Sequence, residues 1–353
     1  MANAEPLDWR VTGCSVRGAS HARSGLPNQD ALLLSEPRGG PPVFAAVADG
    51  HGSARYVRSH VGARLAVEAA HEVLWQAFVT ERPPDATPTI LKRAAEDDLP
   101  RKLMAAWRQK VEQHLAAEPL TAEDLAAVNE RGEVAYGATV LAVLVTAEFI
   151  VYLQLGDGEV LAVDPHGRVT HPLPPDERLL GNETTSLCGE EAWRDVRVKL
   201  QWLPAQDAAP PPALILVATD GYPNSFRDAA GFEKVGSDLR EMIEAQGLGY
   251  VEQQLAGWLE QVTQKGSGDD VTLALVRRTE HDDLDDLRRW RHQTEPVLAA
   301  HGEGLRAVGE DESRTAAECR RLRSGVGLAC GLHVVLLASL VLVWLWQHLA
   351  GWR

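Results

Sequence analysis

Cysteine is scarce in this chain, with only Cys14, Cys188, Cys319 and Cys330 among 353 residues. Four are too few for a disulfide scaffold, and none stand at the spacing of a zinc site. A reducing, cytosolic compartment is expected for the folded part. Positive charge is also short: 35 Lys and Arg face 50 Asp and Glu, a net charge of −15. Such a chain does not grip phosphate backbones non-specifically, so no nucleic-acid partner is expected. The acidity suits cation binding, although it is more commonly a matter of solubility. Met1 to Arg10 contains no apolar run, which excludes a secretory signal there. No internal repeat is evident.

What remains reads as a globular protein, 45 % hydrophobic and 24 % charged. The length allows one large domain with appendages, or two small ones. Val11–Val16 and Ala31–Leu34 read as strands around a polar loop, Arg17 to Asp30. Val43–Ala48 is a continuous apolar run that ends in a glycine-rich turn. Helical spacing follows over Tyr56–Phe78, is broken by Pro83, Pro84 and Pro88, and resumes over Ile90–Ala117. Thr121 reads as a helix N-cap with Asp124 three residues on. The pattern then turns to short β-branched runs: Ala138–Val145, Phe149–Leu155, Val160–Val163, Val196–Leu200, Leu214–Ala218 and Val271–Val276. Val235–Ala245 and Tyr250–Gln264 read as helices. Strand runs interrupted by helix pairs predict an α+β fold of packed antiparallel sheets with helices outside.

Beyond residue 279 the character changes. Residues 280–324 are polar and read as a juxtamembrane linker, although Leu284, Leu287 and Trp290 could dock one helical face. Gly325 to Trp346 holds no Asp, Glu, Lys or Arg. A helix of that length crosses a hydrocarbon core of about 30 Å. Arg320, Arg321 and Arg323 precede it and Trp344, Trp346 and Trp352 lie at its far end, so a transmembrane helix over 325–349 is expected, with the long N-terminal part on the cytoplasmic side. The domain plan is thus a tail (1–10), a folded region (11–279), the linker, the span and a second tail (350–353).

Acidic residues sit where the apolar strands end. They occur in Asn28-Gln29-Asp30, Asp49-Gly50-His51-Gly52, Gly156-Asp157-Gly158, Asp220-Gly221 and Asp269-Asp270. A single Asp-Gly is more often a turn than a ligand. Several carboxylates converging without Lys or Arg would repel one another, and a hard cation removes that cost. Oxygen donors without Cys or clustered His point to Mg2+ or Mn2+.

These segments also carry a resemblance. Gly18-Ala19-Ser20-His21 through Asn28-Gln29-Asp30-Ala31, Val47-Ala48-Asp49-Gly50-His51-Gly52, Tyr136-Gly137-Ala138-Thr139, Leu155-Gly156-Asp157-Gly158, Ala218-Thr219-Asp220-Gly221 and Gly268-Asp269-Asp270-Val271-Thr272 stand in the order of the motifs of the protein phosphatase 2C family. With Asn182-Glu183-Thr184, the chain is most similar to a bacterial branch. The resemblance covers about Val11 to Arg278. It implies a four-layer α-β-β-α sandwich of two antiparallel sheets and the hydrolysis of phosphoserine and phosphothreonine by a metal-activated water. Two Mn2+ or Mg2+ ions are implied, with a third, weaker one. Asp49 would bridge the pair, the Gly50 carbonyl would hold one ion, Asp220 and Asp269 would complete the other, and Asp30 would bind a metal or orient its waters. Asp157 would hold the third, and His51 would be the general acid.

The family's departures matter here. Gly25 stands where many members carry a phosphate-holding Arg, leaving His21, Arg23 or Arg55 as substitutes. Gln29 replaces a frequent Glu, and Asp270 a frequent Asn. Partners implied are phosphorylated proteins, an opposing Ser/Thr kinase and the membrane; no oligomeric state is implied. Two other readings stay open: a pseudophosphatase that binds a phosphorylated partner, and a hydrolase of small phosphoesters.

Overall fold

A computed structural model describes residues 8–37, 39–173, 185–203 and 210–279. The Asn182-Glu183-Thr184 segment, the linker and the 325–349 span lie outside the described residues. Among the described residues, no helix is long and apolar enough to cross a membrane.

Among the described residues, ten strands form two five-stranded antiparallel sheets. The strands are β1 (Asp8–Val16), β2 (Ala31–Ser35), β3 (Val43–Ala48), β4 (Val140–Val145), β5 (Phe149–Leu155), β6 (Glu159–Val163), β7 (Val169–Thr170), β8 (Arg197–Trp202), β9 (Leu214–Ala218) and β10 (Val271–Thr279). One sheet runs β1-β10-β9-β6-β7 and the other β2-β3-β4-β5-β8. The helices are α1 (Ala19–Ser24), α2 (Ser59–Trp75), α3 (Pro88–Arg93), α4 (Leu99–Ala117), α5 (Ala122–Ala127), α6 (Ala229–Gln246) and α7 (Leu248–Lys265).

The apolar runs are continuous because these strands are covered on both faces. Alternation then divides their side chains between layers. Val43, Ala45 and Val47 of β3 meet Ile215, Val217, Ala274 and Val276 between the sheets. Phe44, Ala46 and Ala48 face the other way, onto a cluster with Ala66, Ala70 and Leu103. Leu161, Leu216 and Leu273 pack outward against Leu239, Ile243 and Leu255. Helices α2 and α4 thus cover one sheet and α6 and α7 the other, the expected four layers.

Three local readings change. The loop Arg17 to Asp30 contains α1. Pro88 opens α3 rather than breaking a helix: Thr87 caps it by accepting the Ile90 N–H, and proline at the first turn forfeits no intrahelical bond. Strand β1 begins at Asp8, paired with Thr279, so a tail ending at residue 10 is too long. The N-cap of α5 is Thr121, as its spacing predicts, accepting from Asp124.

His171 fastens α6 to the sheet through Glu159 (Nδ1 to Oε2, 3.2 Å) and Glu233 (Nε2 to Oε1, 3.1 Å). The bond to Glu159 is the main cause that lifts its pKa to about 9, against an opposing effect of burial. The folded pKa lies above the unfolded value, so this contribution is complete below about pH 6.5 and is lost as pH rises through 9. Because the pair is about one-third exposed, the effect is about 1 kcal/mol or less. His171→Ala should lower the melting temperature at pH 6, and the difference from wild type should vanish by pH 10.

Candidate metal and phosphate site

Strand register brings the acidic segments to one rim. Ala31 pairs with Ala48, so Asp30 and Asp49 leave adjacent strands at the same end. In the other sheet Ala218 pairs with both Leu273 and Glu159, which brings Asp220, Asp269 and Asp157 to one end as well. The two ends coincide across the sandwich: Asp30 of one sheet accepts hydrogen bonds from Thr219 (2.7 Å) and Thr272 (2.6 Å) of the other.

Backbone and hydroxyl groups hold these carboxylates in place. Thr139 Oγ1 accepts the Asp49 N–H at 2.9 Å, and the Thr139 N–H returns a bond to the Asp49 carbonyl. The Asp30 N–H bonds the Asn28 side chain, and Asn224 donates to Asp220 at 3.0 Å. Gly50 donates to the Gln29 carbonyl; a Cβ on it would lie 2.6 Å from the Ser59 oxygen, so only glycine fits. Gln29 is buried and donates to Ser59 at 2.7 Å, while its Oε1 is buried without a hydrogen-bond partner.

The electrostatics follow from that crowding. Asp30 is pushed up to about 8, chiefly by burial, with Asp270 and Asp220 adding repulsion against the two threonine bonds. Asp49 is raised well above the usual carboxylate range by burial and by Asp30, Asp220, Asp269 and Asp157. Asp220 rises to about 7 through burial, Asp157 and Asp269. Asp30, Asp49, Asp157, Asp220 and Asp269 therefore share one field, with Asp270 behind them. An oxygen-rich, mutually repelling set beside an orphaned buried carbonyl fits a hard divalent cation.

The remaining expected residues are placed as follows. His51 is lowered below the ordinary histidine value mainly by burial; Asp157 works against this and Arg55 with it. Its ring lies 4.8 Å from that of Tyr56. Arg55 is exposed, with its guanidinium 4.6 Å from the Tyr56 ring centroid. Arg23 is exposed on α1. Gly25 ends α1 in the left-handed region at φ 79°, with its N–H on the His21 carbonyl, which is why this position tolerates glycine better than a long cation. His21 points inward instead: with Asp269 and Asp270 it forms a group whose donor atoms all lie within 4.8 Å of one another. Asp49 and Asp220 do not belong to that tight group.

The supporting roles of four side chains emerge only from the fold. Asp270 is buried and takes the Gly18 N–H (2.5 Å), the Gln29 N–H (2.6 Å) and His21. Thr139, Thr219 and Thr272 are buried and bonded to or beside the acidic segments. Their signal was adjacency: each threonine lies within three residues of an Asp or pairs across from one.

The sequence profile described as Protein phosphatase 2C matches residues 17–260. No curated protein matches the chain. Among solved structures, the Mycobacterium tuberculosis serine/threonine phosphatase PstP/Ppp is similar at 16 % identity and a TM-score of 0.49, over 78 % of this chain and 100 % of its own. The Pseudomonas aeruginosa protein PppA, a regulatory component of T6SS, is similar at 17 % identity and a TM-score of 0.48, over 77 % and 98 %. Stp1 from Staphylococcus aureus is similar at 14 % identity and a TM-score of 0.49, over 77 % and 95 %.

In cation-free protein the raised carboxylates bind protons more tightly folded than unfolded. Their stabilising effect is complete below about pH 3.8 and is lost as pH rises through about 8. In chelator-treated protein at pH 8, Asp49→Asn should therefore raise the melting temperature. Mn2+ at a hundred times its Kd should stabilise wild type by about 2.7 kcal/mol and Asp49→Asn far less. Calorimetric melting with and without Mn2+ checks both.

Proposed function

The chain belongs to the protein phosphatase 2C family of metal-dependent serine/threonine protein phosphatases, and from that premise we propose that the acidic rim is its catalytic centre. The observation that supports this most is the shared field of Asp30, Asp49, Asp157, Asp220 and Asp269 at one end of both sheets. Asp49 and the Gly50 carbonyl would hold one Mn2+ or Mg2+ ion, Asp49, Asp220 and Asp269 would hold a second, and Asp157 would hold a weaker third. Asp30 orients water in the site while Thr219 and Thr272 fix its carboxylate. Bound there, the cations supply an activated water and neutralise charge on the phosphoryl oxygens.

The chain's own residues then direct the reaction. A water oxygen bonds to phosphorus as the water gives up one proton to solvent, the bond from phosphorus to the serine or threonine oxygen breaks, and that oxygen takes up a proton. His51, two residues after Asp49, donates it; burial lowers its pKa and thins its protonated form, an effect that the neighbouring Asp157 opposes. Arg55, exposed beside His51, steadies the substrate phosphate. The products are inorganic phosphate and the free hydroxyl.

The substrates are phosphorylated proteins, and the physiological counterpart is a Ser/Thr kinase. The uncharged segment 325–349 anchors the chain as a single span, with the catalytic domain on the cytoplasmic side, in keeping with the arginines before it.

Two measurements test this. With Mn2+, the full-length chain should hydrolyse both p-nitrophenyl phosphate and a phosphothreonine peptide, and Asp49→Asn should abolish both. His51→Ala should lower kcat on the peptide by about 100-fold or more, but much less on p-nitrophenyl phosphate, whose leaving group needs no proton. Equal losses on both substrates would remove His51 from the acid role. For the anchor, the full-length chain should sediment with membranes and a chain lacking 325–353 should not; a soluble full-length chain would contradict the span.

A further inference from the structure

The contact between His21 and two aspartates has a geometry that the reaction described above does not use. His21 lies on α1, and α1 is clamped to the start of β10. Ser20 donates to the Gly268 carbonyl through its N–H (2.8 Å) and its hydroxyl (2.6 Å), and the Ala19 N–H bonds Thr263 Oγ1 at 2.9 Å. The imidazole is therefore held beside Asp269 by a rigid frame.

Its two ring nitrogens have different surroundings. Nδ1 lies 2.9 Å from Asp270 Oδ2. Asp270 is only 2 % exposed in its side chain and already accepts two backbone N–H groups. A carboxylate so placed is an acceptor, so it holds Nδ1–H and turns Nε2 toward Asp269. Nε2 lies 3.6 Å from Asp269 Oδ1, and the Asp269 side chain is 51 % exposed. A nitrogen and an oxygen at that separation can both reach one divalent cation at about 2.1 Å from each. A buried carboxylate holding one imidazole nitrogen while the other faces a cation site is the arrangement that orients histidine ligands in metal proteins.

We propose that His21, oriented by Asp270, is a nitrogen ligand of the cation held at Asp269, and that it biases this position toward Mn2+ over Mg2+. The inference rests on the acidic rim being a cation site. It deepens that reading by adding a donor of a second chemical kind, since imidazole nitrogen discriminates against Mg2+, which prefers oxygen. It also removes His21 from the residues available to hold substrate phosphate.

Pulsed electron paramagnetic resonance of the Mn2+-loaded full-length chain reads this ligand directly. Wild type should show 14N modulation of the Mn2+ echo, replaced by a 15N signal when the protein contains 15N-labelled histidine. His51→Ala should keep the modulation and His21→Ala should lose it. In calorimetric titration, His21→Ala should bind Mn2+ about tenfold more weakly, with a smaller change for Mg2+. Mn2+ binding without nitrogen modulation in wild type, or modulation that survives His21→Ala, overturns the ligand assignment and leaves the phosphatase site standing. No Mn2+ binding by wild type at millimolar concentration overturns both. The wild-type spectra decide the matter even if His21→Ala fails to fold.

Discussion

Carboxylates of like charge resist being gathered, and this protein gathers five of them at one rim. Burial and mutual repulsion lift Asp30, Asp49 and Asp220 far above the usual carboxylate range. A loop could not hold such a set, because a few degrees of backbone freedom would let the charges separate. The rigid layers supply the holding force. Asp49 directly follows β3 and Asp220 follows β9 after Thr219 alone, both strands buried throughout, and Asp30 directly precedes the partly buried β2.

The hydroxyl network completes that restraint. Thr219 and Thr272 reach from one sheet to Asp30 on the other, so the sheets are tied together at the point where repulsion would push them apart. Asp270 performs a related task on the other side. It binds the Gly18 and Gln29 N–H groups and thereby closes the segment carrying α1 over the rim. The Asp30 and Asp220 carboxylates are held by neutral donors, Thr219, Thr272 and Asn224. An arginine or lysine in their place would neutralise the carboxylates and weaken the attraction for a cation.

Much of this could be read from residue order alone. The apolar runs Val43–Ala48, Phe149–Leu155 and Leu214–Ala218 are strands with those very bounds, because burial on both faces leaves an unbroken β-branched signal. Helix α1 escaped because Ala19 to Ser24 buries no side chain, so it carries no apolar period. The acidic segments were visible because glycine marks the turn beside most of them. The role of Asp270 was not, since it lies in backbone groups 241 and 252 residues away in the chain, a distance no local pattern spans. Gly25 was legible as a departure from the family, while its reason, a left-handed helix cap, belongs to the fold.

The account turns on whether the rim holds cations between the named aspartates. Crystals of the full-length chain grown with Mn2+, measured on both sides of the manganese absorption edge, test this most directly. Two anomalous peaks should appear, one shared by Asp49 and the Gly50 carbonyl and one among Asp49, Asp220 and Asp269. A difference map without an anomalous peak at Asp49, at Mn2+ concentrations that support phosphatase activity, would contradict it.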